Sequence, residues 1–149
     1  MFRIPKHIGI IPDGNRRWAK KSGLKKEEGY AFGLAPGLAL LRAAKRYGVR
    51  ELTYYGFTVD NCKRPREQLK AFSCACVEAV KLMESEGVRP FVLGNTKSSC
   101  FPKELIPYTE PETSAGSDPE EMRVNLLVNY GWEWDMKHDW VSKMIPRID

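Results

Sequence analysis

The sequence predicts an α/β fold, an open and mostly parallel sheet flanked by helices, and three observations predict it. A short apolar run, His7 to Pro12, has the length of a buried strand and leads straight into Asp13-Gly14. From residue 34 onward, stretches with helical spacing alternate with further short apolar runs, and strand, helix, strand, helix, strand implies a parallel sheet with helical crossovers. Finally, 149 residues with 42% hydrophobic content supply one core, so residues 1–149 are read as a single domain.

Each element has its own signal. Leu34 to Tyr47 places Leu34, Leu38, Leu41 and Ala44 on one helical face and ends at Gly48. Glu51 to Phe57 is rich in β-formers, and a polar loop from Thr58 to Arg64 follows it. Pro65 opens a second helix running to about Glu86, with Leu69, Phe72, Cys76, Val80 and Met83 at helical spacing. Val88 to Leu93 and Arg123 to Tyr130 are further strands. Between Lys97 and Met122, four prolines allow at most short helical turns around Lys103 to Tyr108. In such a sheet, ligands bind beyond the carboxyl ends of the strands, which brings the loops Asp13–Trp18, Thr58–Arg64, Gly94–Thr96 and Asn129–Trp132 to one edge.

Composition narrows the function classes. No apolar run reaches bilayer length and the N-terminus lacks the apolar centre of a signal peptide, so a cytoplasmic protein is expected. Cys62, Cys74, Cys76 and Cys100 form no Cys-x-x-Cys pair, and the only histidines are His7 and His138, so reduced, unmetallated thiols are expected, with Cys74 and Cys76 packing in a helix. Residues 1–66 hold 15 Lys and Arg against 5 Asp and Glu, while 67–149 hold 9 against 14. The basic half suits phosphorylated metabolites or peripheral contact with an anionic leaflet. Nucleic acid is disfavoured because the run Lys20 to Lys26 has no interleaved aromatics.

The basic half contains Asp13-Gly14-Asn15-Arg16-Arg17-Trp18. A carboxylate alone repels phosphate, so Asp13 beside two arginines makes sense with Mg2+ between it and a diphosphate. Arginine forks match phosphate oxygens, and Gly14 lets the backbone approach. The bland reading is that Asp13 caps a helix and Arg16 and Arg17 are solvated. A phosphohydrolase with Asp-x-Asp after its first strand is disfavoured, since Asn15 stands where the second aspartate would be.

The stretch His7 to Ala19 resembles the first signature of the cis-prenyltransferases, the undecaprenyl diphosphate synthases or isoprenyl transferases, His-x-x-x-Ile-x-Asp-Gly-Asn-x-Arg-Trp-Ala. Gly29-Tyr30-Ala31-Phe32-Gly33, Tyr55 to Pro65 and Asn129-Tyr130-Gly131 are similar to later signatures, in family order. The resemblance implies an undecaprenyl diphosphate synthase-like fold and Mg2+-dependent condensation of isopentenyl diphosphate with an allylic prenyl diphosphate to a cis product. By the same resemblance Asp13 holds Mg2+ and, with Asn61, is catalytic. Gly14, Asn15, Arg16, Arg17, Lys26 and Arg64 grip the substrates, Trp18 walls the site, and Tyr30, Thr58 and Asp60 fall at substrate-binding positions. Leu69, Phe72, Cys76 and Val80 then line the tunnel for the growing chain or, equally, form core.

The chain departs from that pattern at Tyr30 (histidine in the family), Thr58-Val59 (two serines), Asp60 (glutamate) and Cys62 (tryptophan), which makes an unusual allylic substrate an expectation. Ile145 to Asp149 resembles the opening of the strand that leads to the family's late Arg-x-Gly-Gly, Arg-x-Ser and acidic motifs. The expectation is therefore a C-terminally truncated domain, a homodimer or a chain whose partner subunit supplies those motifs. The competing reading is a non-catalytic prenyl-diphosphate-binding or partner subunit.

Overall fold

The computed structural model describes residues 3–88, 90–110 and 122–137. The expected strand at Ile145 to Asp149, Trp140 and most of the proline-rich stretch beyond Glu110 lie outside them. Four parallel strands, β1 (His7–Ile10), β2 (Glu51–Tyr55), β3 (Pro90–Leu93) and β4 (Arg123–Leu127), stand in the order β1-β2-β4-β3. Residues Ile10↔Tyr54 and Tyr54↔Leu126 fix the register at the carboxyl edge. The central β4 has neighbours on both sides and buries Val124, Asn125, Leu126 and Leu127. Buried Asn125 is satisfied by Nδ2 donating to Glu51 Oε1 at 2.7 Å and Thr53 Oγ1 at 3.1 Å.

The helices are α1 (Asn15–Lys21), α2 (Gly29–Phe32), α3 (Leu34–Arg46), α4 (Arg66–Ser85) and α5 (Trp132–Lys137). Leu41 and Ala44 of α3 join Cys76, Val80 and Met83 of α4 and the inward residues of β2, β3 and β4 in one core cluster. Arg42 Nη2 donates to Glu86 Oε1 at 2.6 Å and Lys45 Nζ to the Glu86 carbonyl at 2.8 Å, which ties α3 to the end of α4. That guanidinium holds the Glu86 carboxyl below the usual carboxylate range.

Several expectations are corrected in detail. β1 ends at Ile10 and leaves Ile11 76% exposed, because Pro12 has no N–H for a ladder. The expected loop Asp13–Trp18 runs from Asn15 into helix α1, and the expected loop after Thr58 is a 3-10 helix, Val59–Lys63, opened by Thr58 Oγ1 accepting from the Asn61 N–H. The short helical turns expected around Lys103 to Tyr108 are there, as a 3-10 helix with those bounds. The cysteines are free thiols. Cys76 is buried and its thiol is pushed up to about 12, whereas Cys74 stands exposed on the other side of α4. Among the described residues no helix is long and apolar enough to cross a membrane.

Candidate functional site

A cavity of about 770 Å³ opens at the carboxyl ends of β1 and β2 and runs between α3 and α4. Its rim is polar. Gly14 precedes α1 with φ 111°, a left-handed conformation that glycine adopts without strain, and this bend carries Asp13, Asn15, Arg16 and Arg17 to the rim together. From across the opening come Thr58, Asn61 and Arg64, positioned by the 3-10 helix, and Tyr30 from α2. The deeper wall is apolar: Leu38 and Leu41 of α3 face Phe72, Ala75, Cys76, Ala79 and Met83 of α4. A charged entrance on an apolar slot suits a ligand with an anionic head and a hydrocarbon tail.

Asp13 does not cap α1, whose first turn has no side-chain cap. Its Oδ2 accepts from Arg17 Nη2 at 2.8 Å, with both side chains largely exposed. Arg16 has no charged partner among the described residues, and neither has Arg64, whose Nη1 donates to the Tyr30 hydroxyl at 3.0 Å. The site therefore holds two guanidiniums whose charge no carboxylate cancels and a third paired with a carboxylate that a cation could claim. Asn61, only 7% exposed, donates from Nδ2 to Thr58 Oγ1 in a short contact, leaving its amide oxygen as an acceptor.

Two glycines explain how the rim segment around Asn15 is held. A Cβ at Gly29 would lie 2.3 Å from the Asn15 carbonyl oxygen, and one at Gly33 would lie 2.8 Å from Asn15 Nδ2. Their four-residue spacing puts both on the same side of α2, which packs directly on Asn15.

Three of the expected site residues do not line the cavity. Trp18, the next residue after Arg17, turns to the other side of α1 and rests on Phe32, with ring centroids 5.0 Å apart and 47% of the residue exposed. Lys26 lies exposed in the connection between α1 and α2. Asp60 is drawn to Lys63 at 2.7 Å, which holds its carboxyl below the ordinary range. All four tunnel candidates belong to or pack against the core, and of them Phe72 and Cys76 also line the cavity.

The loops Gly94–Thr96 and Asn129–Trp132 also stay off the lining, yet they brace it. Asn129 Nδ2 donates to the Asn95 carbonyl at 3.1 Å, and its Oδ1 accepts from Cys62 Sγ at 3.3 Å. Burial, reinforced by contact with Cys100, pushes the Cys62 thiol up to about 12, so it remains a donor. Tyr130 bridges to Thr58, and its hydroxyl donates to Asp135 Oδ2 at 2.6 Å. Tyr54, whose hydroxyl donates to the Gly37 carbonyl at 2.9 Å, and Tyr55 also line the cavity; Tyr54 carries no sequence signal beyond its place in β2, whereas Tyr55 opens the signature-like stretch that runs to Pro65.

Residues 11–147 match the profile of the undecaprenyl diphosphate synthase family. The chain belongs to that family. It is similar to the isoprenyl transferase of Ralstonia nicotianae, at 34% identity over 136 residues, covering 89% of this chain and 52% of that protein. It is also similar to the ditrans,polycis-undecaprenyl-diphosphate synthase ((2E,6E)-farnesyl-diphosphate specific) of Haemophilus ducreyi, at 32% identity over 139 residues, covering 89% and 56%. The chain thus spans about half the length of the curated relatives it matches. Lavandulyl diphosphate synthase from Lavandula x intermedia, solved in complex with dimethylallyl diphosphate, shares the fold with a TM-score of 0.71 over 97% of this chain and 66% of its own, at 22% identity. Within the family, the cavity rim is built from the stretches that carry its signatures, and the departures at Tyr30 and Thr58 fall on the rim itself.

Proposed function

We propose that this chain binds an allylic prenyl diphosphate and condenses it with isopentenyl diphosphate as a cis-prenyltransferase. The observation that carries the reading is the union of an arginine-rich rim with an apolar slot in one cavity. The diphosphate sits among Asn15, Arg16, Arg17 and Arg64, and the prenyl tail lies between α3 and α4. Membership of the family supports this assignment.

The residues present fit Mg2+. Asp13 is a single rim carboxylate, and the ion commonly takes one or two carboxylates with the remaining positions filled by substrate phosphates and water. Bound there, Mg2+ would offset negative charge on the departing diphosphate. The arginines grip the same oxygens, and their stabilisation grows as the allylic C–O bond breaks and the leaving group gains charge. The apolar wall from Phe72 to Met83 keeps water from the allylic cation. The isopentenyl double bond then forms the new C–C bond at the allylic carbon and a proton leaves, so the products are the longer prenyl diphosphate, inorganic diphosphate and H+. The Asn61 amide oxygen, an acceptor at the rim, steers that proton without keeping it.

Incubation of the chain with farnesyl diphosphate, isopentenyl diphosphate and Mg2+, followed by analysis of extracted products, tests the reading. Longer prenyl diphosphates are expected. Binding without product would assign the chain a binding role instead, and no binding would overturn the site.

The slot makes a separate prediction. Ala79→Phe places a ring in the apolar wall, and overpacking of this kind costs about 1–3 kcal/mol. Farnesyl diphosphate is expected to bind about tenfold or more weakly, with inorganic diphosphate unchanged, as measured by calorimetry. Equal weakening of both would place the tail elsewhere.

A further inference from the structure

We propose that Tyr30 is the positioning residue for Arg64, so that α2 couples the phosphate loop to the 3-10 helix across the cavity mouth; the proposal rests on the diphosphate reading of the site. α2 is held at both ends, because Gly29, its first residue, and Gly33, which follows its last, pack on the backbone and side chain of Asn15 with no room for a Cβ. Tyr30, the residue after Gly29, is 5% exposed and lies on Phe72 with centroids 4.7 Å apart and planes 19° apart. Ring and backbone are therefore both fixed, and the hydroxyl has one place to be.

That place is 3.0 Å from Arg64 Nη1. The guanidinium carbon also lies 5.3 Å from the centroid of Phe72 and 6.0 Å from that of Tyr30, so one aromatic pair holds it by face and by hydroxyl. A carboxylate partner would fix Arg64 equally well but cancel its charge. A hydroxyl holds the fork and leaves the charge for an anion. A chain of contacts thus runs from Asn15 through α2 to Arg64, and displacement at either end misaligns the other.

The test is a double-mutant cycle with Tyr30→Phe, which keeps the stack and removes the acceptor, and Arg64→Met. The readout is the affinity of the full chain for dimethylallyl diphosphate with Mg2+, by calorimetry. Each single variant is expected to bind about tenfold more weakly, and the double variant no more weakly than Arg64→Met. Tyr30→His, which keeps an acceptor, is expected to recover most of the affinity lost in Tyr30→Phe. Wild-type affinity in Tyr30→Phe, multiplying losses in the double variant, or equal weakness of His and Phe at this position would overturn the proposal. Failure of the unsubstituted chain to bind would instead overturn the diphosphate reading.

Discussion

Asp13→Ala is expected to reduce Mg2+-dependent turnover by at least about a hundredfold while leaving the melting temperature almost unchanged. The two outcomes separate because the carboxylate touches no core residue. It is 79% exposed at the side chain, and its partner is Arg17, four residues along and 74% exposed. An exposed pair of this kind contributes about 0–1 kcal/mol, and surface substitutions fall within about half a kcal/mol. Its value to function is different, since among the described residues Asp13 is the only carboxylate that lines the cavity and no cluster of three metal-ligating side chains exists. With one protein ligand, an ion at the proposed site would be held jointly by Asp13 and the diphosphate, so loss of the carboxylate would remove the protein's grip on the metal. Turnover assays at rising Mg2+ check this, and activity close to that of the unsubstituted chain would remove Asp13 from the metal site.

Gly94→Ala is expected to cost about 3–5 kcal/mol, a large share of the roughly 5–15 kcal/mol that holds an ordinary domain together. A Cβ at this position would stand 1.6 Å from the Val128 carbonyl oxygen and 2.7 Å from its carbon. Neither strand end can retreat. Val128 N donates to the Leu93 carbonyl at 2.8 Å and Asn95 N to the Asn129 carbonyl at 3.3 Å, which pins the backbone on both sides of the collision. Val128 itself is fully buried. Gly87→Ala provides the contrast: its φ of 71° makes alanine strained, but nothing lies within 4 Å of the new Cβ, so a cost of about 1 kcal/mol is expected. Urea titration of the two variants distinguishes a backbone collision from local strain, and similar midpoints for both would mean that β3 and β4 do not close on each other at this point. Because Asn129 also holds Cys62, such a defect at Gly94 should loosen the 3-10 helix that carries Asn61.

The sequence by itself determined the larger elements. Helix α3 begins at the expected Leu34 and ends one residue before Tyr47, and α4 lies within the expected span, because long amphipathic periods bury a face whatever the neighbours are. The parallel sheet followed from alternation, and the charged, glycine-bent character of residues 13–17 was plain in the residue types. Tertiary structure alone decided the strand order and the short elements. A seven-residue helix such as α1 and a 3-10 helix such as Val59–Lys63 owe their stability to packing more than to propensity, so they leave a weak local signal. All four of Leu69, Phe72, Cys76 and Val80 belong to or pack against the core, and only the tertiary packing shows that Phe72 and Cys76 also line the cavity; a wall and a core make the same demand on a side chain. The contact between Tyr30 and Arg64, 34 residues apart, was likewise invisible in the linear chain. It exists because Gly29 admits the backbone of Asn15 and Gly33 its side chain, a coincidence in space that no local pattern encodes.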